Sequence, residues 1–471
     1  MQLNSSDSWL IGGTGKQFGQ LLSRGSAGNY EFARVKAVEG NTIILEKPIL
    51  RNYRNYISRL GITVSSFVIN VPEFENLSIN QPLTGNPWTG NNGNGGVLAL
   101  SVKNTLTLNA PIHMNGKGFR GGIGNRSPIC ADSHLIDLYG SKDSSKFAQK
   151  GEGISNSGWD IESDMFYAGK GAIINGGGGG NNHNGGGGGG SNLGCGGNGG
   201  WGWNSITIND KELSGGIGGW PFSKAMINNE RIVFMGGGGG AGHTNDLNGS
   251  NGANGGGIII IQAKTIQGNN QTISANGLHA KDADYDGSGG GGAAGSIILD
   301  CQDIQSHLFL ETMGGNGGNT NIHFDGPGGG GGGGFIGFTS QTLPNNTSVN
   351  VNGGYSGRHL FDRYGAEDGC SGTVISDIVL YGDKPTNIDI HNDDLSSIQI
   401  LQTDNTIQVV NLPIHSSIEC FDILGKEWLL YTNIQSRDVN ISTEQFPHGV
   451  YYLVISHNGT IHNSHPFCII K

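Results

Sequence analysis

Long runs of consecutive glycine constrain this chain more than any other feature, and 87 of its 471 residues are glycine. A run without side chains has no apolar face to bury. It also loses more conformational entropy on ordering than any other sequence. Flexible linkers solve this by staying disordered, usually as glycine mixed with serine and in no fixed register. The runs here keep register with neighbouring apolar segments. Asp286-Gly287-Ser288 precedes Gly289–Gly292, and 39 residues later Asp325-Gly326-Pro327 precedes Gly328–Gly334. That regularity predicts ordered tracts in extended threefold helices of polyproline-II type. Without Cβ atoms such helices can pack backbone to backbone, bonded through N–H and C=O groups and aided weakly by Cα–H···O contacts. A methyl group would block the approach.

The register reveals a repeat. Ile258–Ile261 follows Gly255–Gly257, Ile297–Leu299 follows the second tract and Phe335-Ile336 the third, about 39 residues apart. A second β segment follows each and ends about eighteen residues later at Asn276-Gly277, Gly314-Gly315 and Asn352-Gly353. Val97 opens a distant copy that reaches Asn115-Gly116 on the same count. A fixed period of this length signals units that bury their faces against one another. Upstream, Tyr30–Val38, the turn Glu39-Gly40-Asn41 and Thr42–Leu45 read as a hairpin, and Phe67–Val71 as a strand. The expected organisation is a β region over 1–94, a glycine-rich repeat body over 95–384, a polar linker over 385–397 and a terminal domain over 398–471. The fold class is all-β.

Charged residues make up only 14% of the chain and the net charge is −11. No stretch gathers Lys and Arg, which argues against nucleic-acid binding. No apolar run approaches the ~18 residues of a membrane span. Residues 1–25 lack the basic start and apolar middle of a signal peptide. The six cysteines, at 130, 195, 301, 370, 420 and 468, form no CxxC motif. An even count suits an oxidising compartment, but buried free thiols fit as well.

Glycine nearly disappears after Gly382. From Ile398 about seven short strands are spaced by turns, which suits an immunoglobulin-like sandwich. Two segments carry a specific resemblance. Ile418-Glu419-Cys420-Phe421-Asp422-Ile423-Leu424-Gly425-Lys426 resembles the strand–Asp–turn Gly–Lys element of type IX secretion sorting domains. Phe446-Pro447-His448-Gly449-Val450-Tyr451-Tyr452-Leu453 resembles their Gly-x-Tyr-apolar strand, and the chain ends on Lys471 as those domains end on a basic residue. A Tyr-Pro-Asn-Pro opening is absent. The resemblance covers about 75 residues and implies export through the outer membrane of a Bacteroidetes-type bacterium. Its implied partners are the translocon and its shuttle or sortase components, and its implied location is the cell surface or the medium. Asp422, Gly425, Lys426, Gly449, Tyr451 and Lys471 would form the sorting signal. The body, through RIVFMGGGGGAGH and GGGIIIIQAKTIQGNNQTISANG, resembles glycine-rich bacterial surface and adhesin-like proteins.

Catalytic motifs are lacking: there is no GxSxG elbow and no HExxH, and GxGxxG carries no information in a chain this rich in glycine. Asp282, Asp284 and Asp286 have the opening spacing of a calcium loop. The twelfth position is Ala293 rather than a bidentate Glu, so a solvated acidic turn competes with a Ca2+ site. No other cofactor is indicated. His183, His243, His279 and His323 flank glycine tracts, which suits backbone capping. Trp201, Trp203, Trp220 and Phe222, with Trp159, Phe166 and Tyr167 upstream, would cover the glycine body if buried or stack on sugars if exposed. The reading is a non-enzymatic adhesin-like surface protein whose loops 278–288, 319–327 and 355–368 contact glycans or another cell. A polysaccharide-acting enzyme on a β scaffold is the alternative, and it would need paired acids in a cleft.

Overall fold

The computed structural model describes the chain except residues 2, 4–8, 11–17, 50, 52, 54–55, 58–62, 65, 91–93, 125–137, 142–146, 156–166, 204–212, 228–230, 247–248, 322–323, 379, 381–398, 403–405, 411, 413, 423–426, 445, 448, 458–459 and 470–471. The described residues are essentially all-β, and their helical content is the 3-10 turn Lys224–Met226. The chain divides into two compact units, Met1–Gly382 and Asp383–Lys471. The expected linker lies wholly outside the described residues.

The first unit is built on a parallel sheet. Strand Val97–Leu108 pairs with Ile258–Ser274, which pairs with Ser296–Glu311, then Phe335–Phe338, then Thr373–Ile375. Val97, Ile258, Ser296, Phe335 and Thr373 stand in one row. Continuous β-branched runs suit this position because both faces are covered. Ile258, Ile260, Ile298 and Phe335 join a core that includes Trp88, Phe119 and Phe234. Ile259, Ile261, Ile297, Leu299 and Ile336 face the other way, into a core shared with Ile273, Leu308 and Leu310. Those last residues belong to the second halves of the same strands. The ladder loses register around Gln267, and Asn269 and Asn270 both take positive φ (48° and 58°). A pair of left-handed residues is what a tight reversal of the chain requires. Each fully buried Ile or Leu contributes about 1.5–3 kcal/mol.

The amino-terminal region joins this sheet. Glu73–Phe74 and Leu77–Ile79 pair with Val97–Leu108, and Leu83–Thr84 pairs with Ile112–His113. The boundary placed at 94 therefore falls inside the first compact unit. The hairpin is present as Val35–Glu39 with Thr42–Leu45, turning at Gly40 (φ 57°). Phe67–Val71 forms no ladder; the neighbouring strand begins at Glu73.

The glycine tracts are extended segments stacked side by side and bonded to one another. Residues 185–191 illustrate the arrangement. Gly186 and Gly189 donate to Gly200 and Gly197, Gly187 and Gly190 to Ser288 and Gly291, and Gly188 and Ser191 to Gly178 and Asn175, all at 2.7–3.1 Å. Their carbonyls accept from three further tracts. Gly216 and Gly219 reach Gly186 and Gly189, Gly329 and Gly332 reach Gly187 and Gly190, and Gly240 and Gly237 reach Gly188 and Ser191. The direction of bonding thus rotates with a period of three, and one tract is enclosed by six. A Cβ on Gly189 would stand 2.0 Å from the carbonyl oxygen of Gly330.

The edges of the bundle use side chains in place of missing carbonyls. Asn276, His279 and Asp282 accept from the backbone N–H groups of Met313, Asn316 and Asn319. Asn316 and Asn319 in turn accept from Tyr355 and Arg358. Spacing of three residues puts these side chains on one flank of each tract, where they serve the backbone donors of the next.

In the second unit, among the described residues, Gln399–Gln402, Thr406–Val410 and Val439–Ser442 form one antiparallel sheet. Glu427–Ile434, Ser416–Asp422, Gly449–His457 and Thr460–Ile469 form another. Ile407, Val409 and Ile441 from the first sheet share a core with Ile418, Cys420, Leu453 and Ile455 from the second.

Candidate functional site

The tracts 289–295 and 328–334 lead into the sheet strands at Ser296 and Phe335, and their other ends begin in loops. Those loops converge. Asn184 lies between two tracts with φ 59°; its N–H donates to His243 Nδ1 at 3.1 Å, its carbonyl accepts from Gly326, and its Nδ2 donates to Asp325 Oδ1 at 3.1 Å. Asp286 accepts from Thr244 Oγ1 at 2.5 Å and from the backbone of Asn245 and Asp246. Thr320 Oγ1 donates to the Asp325 carbonyl at 2.9 Å, and Ala283, Thr320 and His359 are joined by parallel bridges across three tracts.

Asp286 and Asp325 are both fully buried. Asp325 Oδ2 has no hydrogen-bond partner among the described residues. Burial, with lesser contributions from Asp286 and Asp246, pushes the Asp325 carboxyl up to about 8, against the Asn184 hydrogen bond, which acts the other way. The buried site thus favours the neutral, protonated form of Asp325. Burial lowers the imidazoles of His183 and His359, opposed in each case by nearby carboxylates.

Around this polar hub stands an aromatic rim. Trp201 packs edge-on against Tyr364 with centroids 5.5 Å apart and Trp203 edge-on against His183 at 5.2 Å, while Phe324 lies tilted against His359 at 5.0 Å. Gly365 (φ 81°) leaves room for the Trp201 indole; a Cβ there would lie 2.2 Å from its Nε1. Beyond the rim, Phe324 is 58% exposed, Tyr355 71%, and Phe361, at the tip of the turn closed by His359 and Asp362, 91%.

The three aspartates of the acidic turn are divided. Asp282 caps Asn319, Asp286 faces inward onto 244–246, and Asp284 is exposed. Among the described residues no group of three His, Cys, Asp or Glu side chains is placed to hold a metal ion. His279 caps a backbone N–H, not a carbonyl; His323 lies outside the described residues. Trp201, Trp203 and Trp220 are half-buried, and Phe222 is buried in a stack on Phe234 with centroids 3.9 Å apart. Trp159 and Phe166 lie outside the described residues.

Of the sorting-signal residues, Asp422 pairs across the sheet with Tyr451, whose hydroxyl donates to the Pro447 carbonyl at 3.0 Å. Gly425, Lys426 and Lys471 lie outside the described residues. Gly449 does not occupy the left-handed region, and a Cβ there would meet Tyr451 at an ordinary 3.5 Å.

Cys195 is bonded to Cys370, joining two tracts 175 residues apart in sequence with Cα atoms 4.9 Å apart. Cys301 and Cys420 are free thiols; Cys130 lies outside the described residues. Lys150, missed in the sequence, is fully buried and donates to the carbonyls of Tyr139, Gly169 and Gly171; burial holds its amine well below the usual range.

No family model matches the chain, and no curated protein matches it. No helix among the described residues is long and apolar enough to cross a membrane.

Proposed function

We propose that this chain is a secreted, adhesin-like surface protein. In this reading the tracts are polyglycine helices of polyproline-II type, forming a rigid body that presents loops 278–288, 319–327 and 355–368 to glycans or another cell. The observation that carries it is the aromatic rim on converged loops, with Phe361 91% exposed. Large exposed apolar side chains gathered on one loop cluster mark interaction surfaces. The Cys195–Cys370 bond supports an oxidising compartment. The reading is of a binder, not an enzyme: the two buried acids are closed to solvent, whereas paired catalytic acids serve a cleft.

The second unit is read as an immunoglobulin-like sandwich that acts as the type IX export signal. Its separate core and the pairing of Asp422 with Tyr451 support this. Residues 398–471 fused to a foreign periplasmic protein should deliver it to the surface or medium of a cell with the type IX apparatus. Removing 466–471 should stop delivery, because it strips part of the Thr460–Ile469 strand. Export of the full chain that persists without 398–471 would refute the assignment. For the body, Phe361→Ser should lower binding to a glycan array or whole cells without changing the melting temperature; unchanged binding would remove the tip from the reading.

A further inference from the structure

Asparagine followed by glycine is a chemically reactive pair. The glycine nitrogen, once deprotonated, attacks the asparagine Cγ; a C–N bond forms, the Cγ–Nδ2 bond breaks and ammonia leaves. Water then opens the five-membered imide at either carbonyl. One product is aspartate, the other an isoaspartate whose main chain runs through Cβ and Cγ. Glycine favours the closure because no Cβ obstructs it. The step requires a free glycine nitrogen, an unrestrained asparagine side chain and water.

Ten such pairs have both members among the described residues. In eight the attacking nitrogen is already engaged. Gly116, Gly176, Gly185 and Gly199 donate to the carbonyls of Asn276, Ile173, Asn181 and Gly216, all at 2.8–3.0 Å. Gly252, Gly255, Gly277 and Gly317 donate to those of Gly122, Phe119, Met313 and Tyr355, at 2.8–2.9 Å. The eight asparagine side chains are bonded as well. Asn94–Gly95 and Asn352–Gly353 differ. Among the described residues neither glycine N–H has an acceptor and neither asparagine side chain has a partner. Asn94 meets Thr89, and Asn352 meets Asn350 and Gly314, through backbone atoms alone. Both asparagines are exposed to water.

We propose that Asn94 and Asn352 are sites of spontaneous deamidation and that the packing protects the other eight pairs. The inference is independent of the function proposed above. Asn352 is the site with a structural consequence. Its carbonyl accepts from Gly314 N–H at 2.9 Å, that of Tyr355 from Gly317 at 2.9 Å and that of Arg358 from Thr320 at 3.0 Å. The segment these bonds hold runs into the turn closed by His359 and Asp362, which carries Phe361. Closing the imide turns the Asn352–Gly353 peptide and gives up the bond from Gly314. At a protected pair the bonds of the glycine and of the side chain must break too. The isoaspartyl product adds one carbon to the main chain between the first and second acceptors, and the former α-carboxyl becomes a free negative charge. The three bonds then no longer form in one register, and segment 352–358 loosens beneath the tip.

The test keeps the full chain at mildly alkaline pH, folded in buffer or unfolded in concentrated urea, and follows each pair by peptide mass spectrometry. Methyl transfer by an isoaspartyl methyltransferase counts the β-linked product. In urea all ten pairs should convert at similar rates. In the folded protein Asn94 and Asn352 should convert close to the urea rate, and the other eight more than about tenfold slower, because they react only through local opening. Asn352→Gln, whose ring would have six members, should remove the product at 352 and leave that at Asn94. Amides of Gly317 and Thr320 should exchange hydrogen faster in aged wild type than in fresh protein, and not in aged Asn352→Gln. Asn352 that stays intact in the fold while converting in urea would overturn the proposal. So would folded protein in which the eight bonded pairs convert as fast as Asn352. Unchanged exchange at Gly317 and Thr320 in protein carrying isoaspartate at 352 would overturn the structural consequence.

Discussion

Substitution of Gly331 by alanine tests the glycine packing most directly. Gly331 lies within the 328–334 tract, with its N–H bonded to Gly315 and its carbonyl accepting from Gly354, both at 2.8 Å. A Cβ there would lie 2.1 Å from the carbonyl oxygen of Gly292, where ordinary contact begins at 3.4 Å, so the two tracts must separate by 1.3 Å. The obstruction is backbone and cannot rotate away. Two bonds hold these tracts together on either side, Gly291 to Gly329 and Ala294 to Gly332, each 2.9 Å, and that separation breaks both. Overpacking costs about 1–3 kcal/mol, and each lost bond about 1 kcal/mol. The φ of Gly331 is open to alanine, so the smaller entropy of the unfolded chain returns up to about 1 kcal/mol. The net loss is about 2–5 kcal/mol, which speeds exchange of the 328–334 amides by about 30-fold to 5,000-fold. Gly124→Ala is the control: its Cβ meets Asn251 Oδ1 at 3.4 Å, and exchange should change by less than about twofold. Equal exchange in the two variants would mean the tracts are not packed as described.

Asp325→Asn should stabilise the protein as pH rises. The folded carboxyl keeps its proton to about 8 while the unfolded one loses it near 3.8, so the wild type loses stability between those values. The variant, still accepting from Asn184, should match the wild type near pH 4 and exceed it by a few kcal/mol at pH 8 in denaturant titrations; parallel pH profiles would refute the burial of that charge. Cys195→Ser should cost about 2–4 kcal/mol and make wild type under reductant behave like the variant; a melting temperature unmoved by reductant would place the bond outside the folded body.

The sequence discloses the glycine packing because its chemistry is local. A run without side chains, held in register with apolar strands, has few ways to become ordered, and the 39-residue spacing reappears as the row from Ile258 to Ser296 to Phe335. The strands of the second unit are legible from their turns for the same reason. The converged loops are less so. Asn184, Thr244, Thr320, His359 and Tyr364 meet only because several tracts end at one level, and nothing near any of them in sequence announces the others. Asp286 illustrates the difficulty: its spacing from Asp282 and Asp284 suggests three carboxylates around one ion, but the backbone alternates their directions, and its oxygens serve donors forty residues upstream. One signal was readable. Asn276, His279 and Asp282, then Asn316 and Asn319, recur at intervals of three, and a threefold extended chain places such residues on one flank. Seen as a period, they identify the edges of the bundle and the donors those edges must satisfy. The same rule, applied to Gly118 and Gly121 after the capping Asn115, shows where that series of side-chain caps stops.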